Sequence, residues 1–286
     1  MKIPRGLQPL IDDGIIDEVV RPLKSGKEAA VFLVASGDSL RCAKVYKDAN
    51  HRGFQKLAQY QEGRKARGSR DERAMGKRSR HGRKQQEEEW KNAEVDALYR
   101  LAAAGVRVPR PYGYFVGVLV MEMIADENGN PAPRLNEVSL SPELARQYHE
   151  FMIRQIVLML CAGLIHGDLS EYNVLLDTGG PVVIDLPQAV EASVNNSAFA
   201  MLARDVGNMA AYFGQYAPEL LETQYAREIW QLYQHAELKP DTVLTGVWVD
   251  DGTSVDVDDV MLQIEEARRE AERRQRGREE AAEAED

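Results

Sequence analysis

The feature that most constrains this 286-residue chain is a change of apolar rhythm part-way along it. Up to Met123 apolar side chains recur mainly in the alternation of extended segments, whereas from Ser141 onward they recur at helical spacing. Within a β-rich region running from about Val19 to Tyr46, Val31, Leu33 and Ala35 share one side of a strand, and Leu40 to Tyr46 forms the next. Two short strands, Tyr112 to Phe115 and Val118 to Met123, follow with Gly117 at their turn. Between these regions a helix is expected from about Glu87 to Ala104. Trp90, Ala93, Ala97, Leu98 and Leu101 recur there at helical intervals, and Gly105 marks the stop. The irregular stretch Asn128-Gly-Asn-Pro-Ala-Pro then separates strands from helices. An α+β chain in two lobes is the simplest way to bury both patterns, and its cleft suits a small ligand.

In the second half, Ser141-Pro-Glu has the chemistry of a helix start, and the helix is expected to reach about Ala162. Asn173 to Leu176 and Val182 to Ile184 flank Asp177-Thr-Gly-Gly as a hairpin. Further helices are expected over about Ala198 to Tyr212 and Pro218 to Ala236, and from Val257 into a charge-laced tail. These elements divide the chain into an N-terminal segment (1–18), a first lobe (19–124), a second lobe (125–240) and a charged tail (241–286).

Composition removes several classes of function. A 44% hydrophobic and 29% charged chain is that of an ordinary soluble protein. The longest apolar run, Ile156 to Ile165, is about half of the roughly 20 residues a membrane helix needs. Met1-Lys-Ile-Pro-Arg-Gly is not followed by the apolar stretch of a secretory signal. Cys42 and Cys161 stand far apart without metal-ligand spacing, so a cytoplasmic protein without disulfides is expected. A net charge of −10 argues against a protein that simply coats nucleic acid. The average hides ten Lys or Arg between Arg64 and Lys84, against only Asp71 and Glu72. This Gly-, Ser- and Gln-rich segment, about 63–86, has almost nothing to bury and reads as a flexible basic insert. It can serve as an arm for RNA phosphates, but it lacks the aromatic residues needed to read bases.

The chemistry is concentrated in His166-Gly-Asp-Leu-Ser-Glu-Tyr-Asn173 and in Val183-Ile-Asp185. Phosphoryl transfer needs a carboxylate to take the proton of the attacking hydroxyl and oxygen ligands for the magnesium that neutralises the phosphates. Asp168 supplies the first, and Asn173 and Asp185 supply the second. Lys44, in the apolar strand Arg41-Cys-Ala-Lys-Val-Tyr, needs an anionic partner there. Glu94 lies among the apolar positions of the Trp90 helix and is the matching carboxylate, with Glu89 as its competitor. His166 is expected to orient the catalytic turn rather than act as base. Lys24-Ser-Gly-Lys-Glu-Ala-Ala-Val31 precedes the lysine strand with one glycine, Gly26, and is not a Walker A loop because Glu28 follows Lys27.

With these residues in view, the sequence resembles the RIO family of atypical kinases, in its type-one branch. The resemblance rests on Ser25-Gly-Lys-Glu-Ala, Ala43-Lys-Val-Tyr-Lys, Pro131-Ala-Pro-Arg-Leu, His166-Gly-Asp-Leu-Ser-Glu-Tyr-Asn-Val-Leu, Ile184-Asp-Leu-Pro-Gln and Arg204-Asp-Val. It covers about Leu7 to Tyr216 and implies a bilobal protein-kinase-like fold with a small β-rich N-lobe and a mainly helical C-lobe. The implied activity is ATP- and magnesium-dependent serine/threonine phosphorylation, with manganese as an alternative cation and with autophosphorylation or ATP hydrolysis. By position, Ser25, Gly26, Lys27 and Lys44 would meet the phosphates and Glu94 would pair with Lys44. The backbone of Glu122 and Ile124 would meet adenine. Asp168 would be the base, with Asn173 and Asp185 on the metal. Family members can form an aspartyl-phosphate at the position of Asp185. The basic insert matches a family segment that carries autophosphorylation sites, for which Ser69 and Ser79 are the candidates. A small ribosomal subunit or its RNA is the implied partner.

Departures from ordinary protein kinases are clear. No long activation segment follows Asp185, which leaves the protein substrate undefined. Two other readings fit the residues. His-Gly-Asp with a downstream Asn and Ile-Asp also suits a small-molecule kinase of aminoglycoside or choline type. A nucleotide-gated assembly factor needs the same binding residues with little turnover.

Overall fold

The computed structural model of the protein describes residues 3–4, 6–26, 29–46 and 93–248. The basic insert and the helix expected beyond Val257 lie outside these residues.

A five-stranded antiparallel sheet forms the first lobe. Its strands are β1 (Glu18–Ser25), β2 (Ala29–Ser36), β3 (Ser39–Tyr46), β4 (Pro111–Phe115) and β5 (Val118–Glu122), in the order β1-β2-β3-β5-β4. Strand alternation sends Cys42, Lys44 and Tyr46 of β3 to one face, which lines a cleft. Ala43 and Val45 go to the other face. There α1 (Gln8–Asp12) and its flanks pack Leu7, Leu10 and Ile16 against Val34, Ala43, Val118 and Val120. Both faces of the sheet are therefore covered. The alternation of Val31, Leu33 and Ala35 describes only the cleft side.

The expected helix before the second strand pair is present over 93–103, here α2, while Glu87 to Asn92 lie outside the described residues. Val95, Leu98 and Leu101 are buried in the main core. Glu94, one turn before Leu98, shares that inward face.

The second lobe is mainly helical, with α3 (Pro142–Cys161), α4 (Ala198–Gly214) and α5 (Tyr225–Gln234). Ser141 caps α3 as expected, its Oγ accepting the Leu144 N–H at 3.2 Å ahead of Pro142. Met152, Ile156, Met159 and Leu160 of α3 join Met209 and Phe213 of α4 in one continuous core. Each such side chain contributes about 1.5–3 kcal/mol of burial. Short strands carry the chemistry between these helices: β6 (Leu164–Ile165), β7 (Val174–Asp177), β8 (Gly180–Val183) and β9 (Val190–Glu191). The two-lobed α+β organisation expected from the sequence is the one found.

Two elements differ from expectation. Asn173 does not open the hairpin. It ends a 3-10 turn, Glu171–Asn173, and β7 starts one residue later. The helix expected over Pro218 to Ala236 is two pieces, a 3-10 turn Pro218–Glu222 and then α5. Between them Thr223 is extended, and its hydroxyl donates to the Leu220 carbonyl at 2.7 Å, which offers the backbone a local alternative to helix.

Candidate active site

The sheet and the β7–β8 hairpin enclose a cavity of about 540 Å³. Its roof is Leu23, Val31 and Cys42, and Leu175 and Ile184 form the floor. Two apolar surfaces facing each other suit a flat aromatic ring. At the back runs the segment Glu122 to Ile124. The Ile124 carbonyl already accepts the Ala132 N–H at 2.9 Å, so its N–H is the group left for a base. Burial pushes the Cys42 thiol up to about 12, which keeps it protonated and unreactive near neutrality.

Lys44 sits at the inner end of the cavity. Pairing with Val31 and Leu119 fixes its position in the middle of the sheet. Its Nζ lies 2.5 Å from Glu94 Oε1 and 2.9 Å from Asp185 Oδ1. Lys44 and Glu94 are 9% and 4% exposed, so each is the other's compensation for leaving water. Burial pushes the lysine down, but the two carboxylates outweigh it and hold the ammonium above its ordinary value. For Asp185, burial pushes the carboxyl up, and Lys44 overrides it to leave a net downward shift. Asp185 takes a left-handed backbone (φ 67°), which turns the chain out of the line of β8.

The turn after β6 carries the second group of residues. His166 Nε2 faces the Ile184 carbonyl at 3.2 Å, and Nδ1 faces the Asp168 N–H at 3.3 Å. A carbonyl only accepts, so Nε2 bears the proton and Nδ1 accepts. Both nitrogens are engaged, which suits an orienting role and not that of a base. Asn173 Nδ2 donates to the Asp168 carbonyl at 2.9 Å, and the Asn173 carbonyl accepts the Ile184 N–H at 2.9 Å. Asn173 thereby links the Asp168 turn to the Asp185 turn.

Beneath this turn lies Asp205 of α4, 1% exposed, whose Oδ2 and Oδ1 accept the N–H groups of Gly167 and Leu169 at 2.8 and 2.9 Å. The Arg204 guanidinium donates to the Gly167 carbonyl, and Asn208 Nδ2 to the Leu169 carbonyl at 2.8 Å. Burial pushes the Asp205 carboxyl up despite these donors.

Of the residues proposed from the sequence, Lys44, Glu94 and Asp185 are in direct contact, and Asn173 joins them to Asp168. Gly26, Glu122 and Ile124 line the cavity. Ser25 ends β1 exposed and does not line it. Lys27, Glu89, Ser69 and Ser79 lie outside the described residues. The Arg204-Asp-Val string carries a further functional residue, Asp205, to which its sequence context assigns no task. Its signal was an acid on the apolar stripe of Leu202, Val206, Met209 and Phe213.

Among the described residues no cluster of three or more His, Cys, Asp or Glu could hold a metal. A hard divalent cation carried in with phosphates needs less, typically one or two protein oxygens. Asp185 fits that need, its side chain 49% exposed and engaged by Lys44 through Oδ1. Asn173 fits as well, since its Nδ2 is taken and its Oδ1 is the atom left over.

The RIO domain family matches residues 30–226. The chain belongs to the RIO family. The RIO-type serine/threonine-protein kinase Rio1 of Haloferax volcanii is 39% identical over 207 residues, covering 71% of this chain and 66% of that protein. The serine/threonine-protein kinase rio1 of Schizosaccharomyces pombe is 30% identical, covering 72% of this chain and 40% of its own length. For RIO1 of Homo sapiens the values are 32%, 71% and 34%. This RIO chain thus spans about one third to two thirds of the curated relatives it matches. Among solved structures it is similar to the Rio2 kinase from Chaetomium thermophilum, with a TM-score of 0.52 at 18% identity over 94% of this chain and 77% of that one. The same kinase as an ADP/Mg2+-phosphoaspartate complex gives 0.51 at 17% identity, over 93% and 75%. The fold is the bilobal, protein-kinase-like α+β fold.

Proposed function

We propose that this RIO protein is an atypical serine/threonine protein kinase that transfers the γ-phosphate of ATP to serine, with autophosphorylation and ATP hydrolysis as related outcomes. The observation that carries this is the contact of Lys44 with both Glu94 and Asp185 at the inner end of a base-sized cavity. The curated relatives' names support it.

In this reading the adenine lies between Leu23, Val31 and Leu175, against the backbone of Glu122 and Ile124. Lys44, held by Glu94, binds phosphate oxygens. Asp168 accepts the proton of the serine hydroxyl as its oxygen bonds to the γ-phosphorus and the bond to the β-phosphate oxygen breaks. Asn173 and Asp185 would hold magnesium, or manganese in its place, which neutralises phosphate charge. One solved relative is described as a phosphoaspartate complex, and Asp185 is the position proposed to accept phosphate here.

The lobe boundaries at 19–124 and 125–240, a cytoplasmic location, and a contact of the 63–86 insert with small-subunit ribosomal RNA belong to the same proposal. Among the described residues no helix is long and apolar enough to cross a membrane.

The test is magnesium-dependent transfer from labelled ATP to a serine-containing protein panel, with aminoglycosides and choline as rival acceptors and phosphate located by mass spectrometry. Asp168→Ala and Asp185→Asn each lower turnover by at least about two orders of magnitude. Unchanged turnover in both variants refutes the assignment.

A further inference from the structure

Two cations of the cleft are not used by the site described above. Lys24 lies near the end of β1, and Arg134 lies just before the 3-10 turn Leu135–Glu137. They are 110 positions apart in the chain, yet both line the 540 Å³ cavity. Lys24 follows the roof residue Leu23, and Arg134 bridges to the floor residue Leu175. Each therefore stands beside one of the two apolar surfaces, on opposite sides of the cleft.

Among the described residues, neither the Lys24 ammonium nor the Arg134 guanidinium forms an ion pair, although Lys44 and Arg146 each form two and Arg100 and Arg107 each have one. Glu137 is beside Arg134, but its Oε2 accepts the Arg134 backbone N–H at 2.9 Å. Both cations also lie within electrostatic reach of Asp185, so they flank the route from the base surfaces to the inner end of the cavity.

We propose that Lys24 and Arg134 form an anion clamp across this cleft, taking the phosphate chain of a nucleoside di- or triphosphate between the two lobes. The inference rests on the nucleotide-binding reading above and adds two residues to it. Without an anion the like charges repel. In keeping with this, Lys24 is pushed down by its partial burial and then by Arg134, against a smaller upward pull from Asp185 and Glu137. A polyanion between them removes that repulsion and joins β1 to the segment before β7. Lys44 cannot do this alone, because Glu94 and Asp185 already balance its charge. The clamp reads phosphate number and not the base, so it holds the diphosphate product as well as the triphosphate.

The test is calorimetry of the full chain with adenosine, AMP, ADP and ATP at two salt concentrations, for wild type, Lys24→Ala, Arg134→Ala and the double variant. Both residues are solvent-accessible, and a melting scan without ligand checks that each variant is folded. Each single change weakens ADP and ATP binding about tenfold, leaves adenosine unchanged and flattens the salt dependence. Lys24→Arg and Arg134→Lys retain most of the affinity. Undiminished ADP and ATP binding by the folded double variant overturns the clamp. So does an equal loss for adenosine, which would mean a changed cavity shape. A wild type that binds none of the four overturns the functional reading and the clamp with it, a result distinct from a double variant that binds as wild type does.

Discussion

Asp205 holds Gly167 by its backbone, carboxylate to N–H at 2.8 Å, from a helix on the far side of the hairpin and 38 residues along the chain. The same carboxylate reaches Leu169 at 2.9 Å, so the residue between, Asp168, is fixed at both ends by a side chain that never enters the cleft. Asparagine at 205 can accept with its oxygen but presents an NH2 where the second N–H needs an acceptor. Asp205→Asn therefore loses about 1.5–3 kcal/mol of stability. Turnover should fall at least tenfold while ATP binding measured by calorimetry stays within a factor of about two. A loss of ATP affinity as large as the loss of turnover would contradict a role confined to the Asp168 turn.

Removing Lys44 tests the other half of the site. Lys44→Met deletes the cation 2.5 Å from Glu94 and leaves that 4% exposed carboxylate without its charge partner. A buried charge without its partner costs about 3–5 kcal/mol. Lys44→Met with Glu94→Leu should recover most of that stability in urea unfolding, while transfer stays at least about a hundredfold down in both variants. Equal stabilities for the single and double variants would show that the pair is not the stabilising unit.

The parts legible in the sequence were those decided locally or by an obvious electrostatic need. Ser141-Pro-Glu starts its helix wherever it is placed. Lys44 in an apolar strand and Glu94 on an apolar helix face each demand a partner, and this brought them together across 50 residues. What escaped was decided by contacts no local pattern records. The five residues of α1 are too few for a periodic signal, yet Leu7 and Leu10 seal the outer face of the sheet. Thr223 breaks the helix after Pro218 through one hydroxyl, although the apolar spacing runs on through it. Asp205 was visible as an acid in a buried stripe, but the donors it accepts from are backbone N–H groups, which carry no residue-type signature. The approach of Lys24 to Arg134 exists only once both lobes are folded.

His149 makes stability depend on acid. It is 1% exposed, with Phe213 and Tyr225 against its ring at centroid distances of 5.9 and 5.7 Å. Burial pulls its pKa down from 6.5 to about 4. Below 6.5 the unfolded chain takes up a proton that the folded protein refuses. Stability therefore falls as pH drops from about 6.5 to 4, by about 3 kcal/mol from this group. His149→Phe, measured by urea unfolding at pH 7 and at pH 4.5, should show a smaller acid loss by about 2 kcal/mol. Parallel profiles for the two proteins would remove His149 as the cause.

One carboxylate of α5 gathers three donors from the end of the described chain, beside a Gln224 N–H to Gly246 carbonyl bond of 2.8 Å. Glu228 accepts the Thr245 N–H at 2.8 Å, the Thr245 hydroxyl at 2.9 Å and the Gly246 N–H at 2.8 Å. Leu238 and Leu244 pack on the core ahead of this anchor, and Arg227 lies 4.6 Å from the Trp248 ring centroid beyond it. Gly246 has a left-handed φ of 71°, and a Cβ there would stand 3.0 Å from the Tyr225 ring. Gly246→Ala meets both the backbone penalty, about 1–2 kcal/mol, and that contact. Glu228→Ala instead deletes the acceptor for three donors. Both changes should release the end of the segment before the lobe unfolds, because local opening has only these bonds, a few backbone bonds such as Gln224 N–H to the Gly246 carbonyl, and two leucines to separate. Limited proteolysis would then cut between Ala236 and Trp248 at least tenfold faster than in wild type, with the midpoint of global unfolding lowered by only a few degrees. A cleavage rate equal to that of wild type in both variants would mean that the leucines, and not Glu228, hold the segment down.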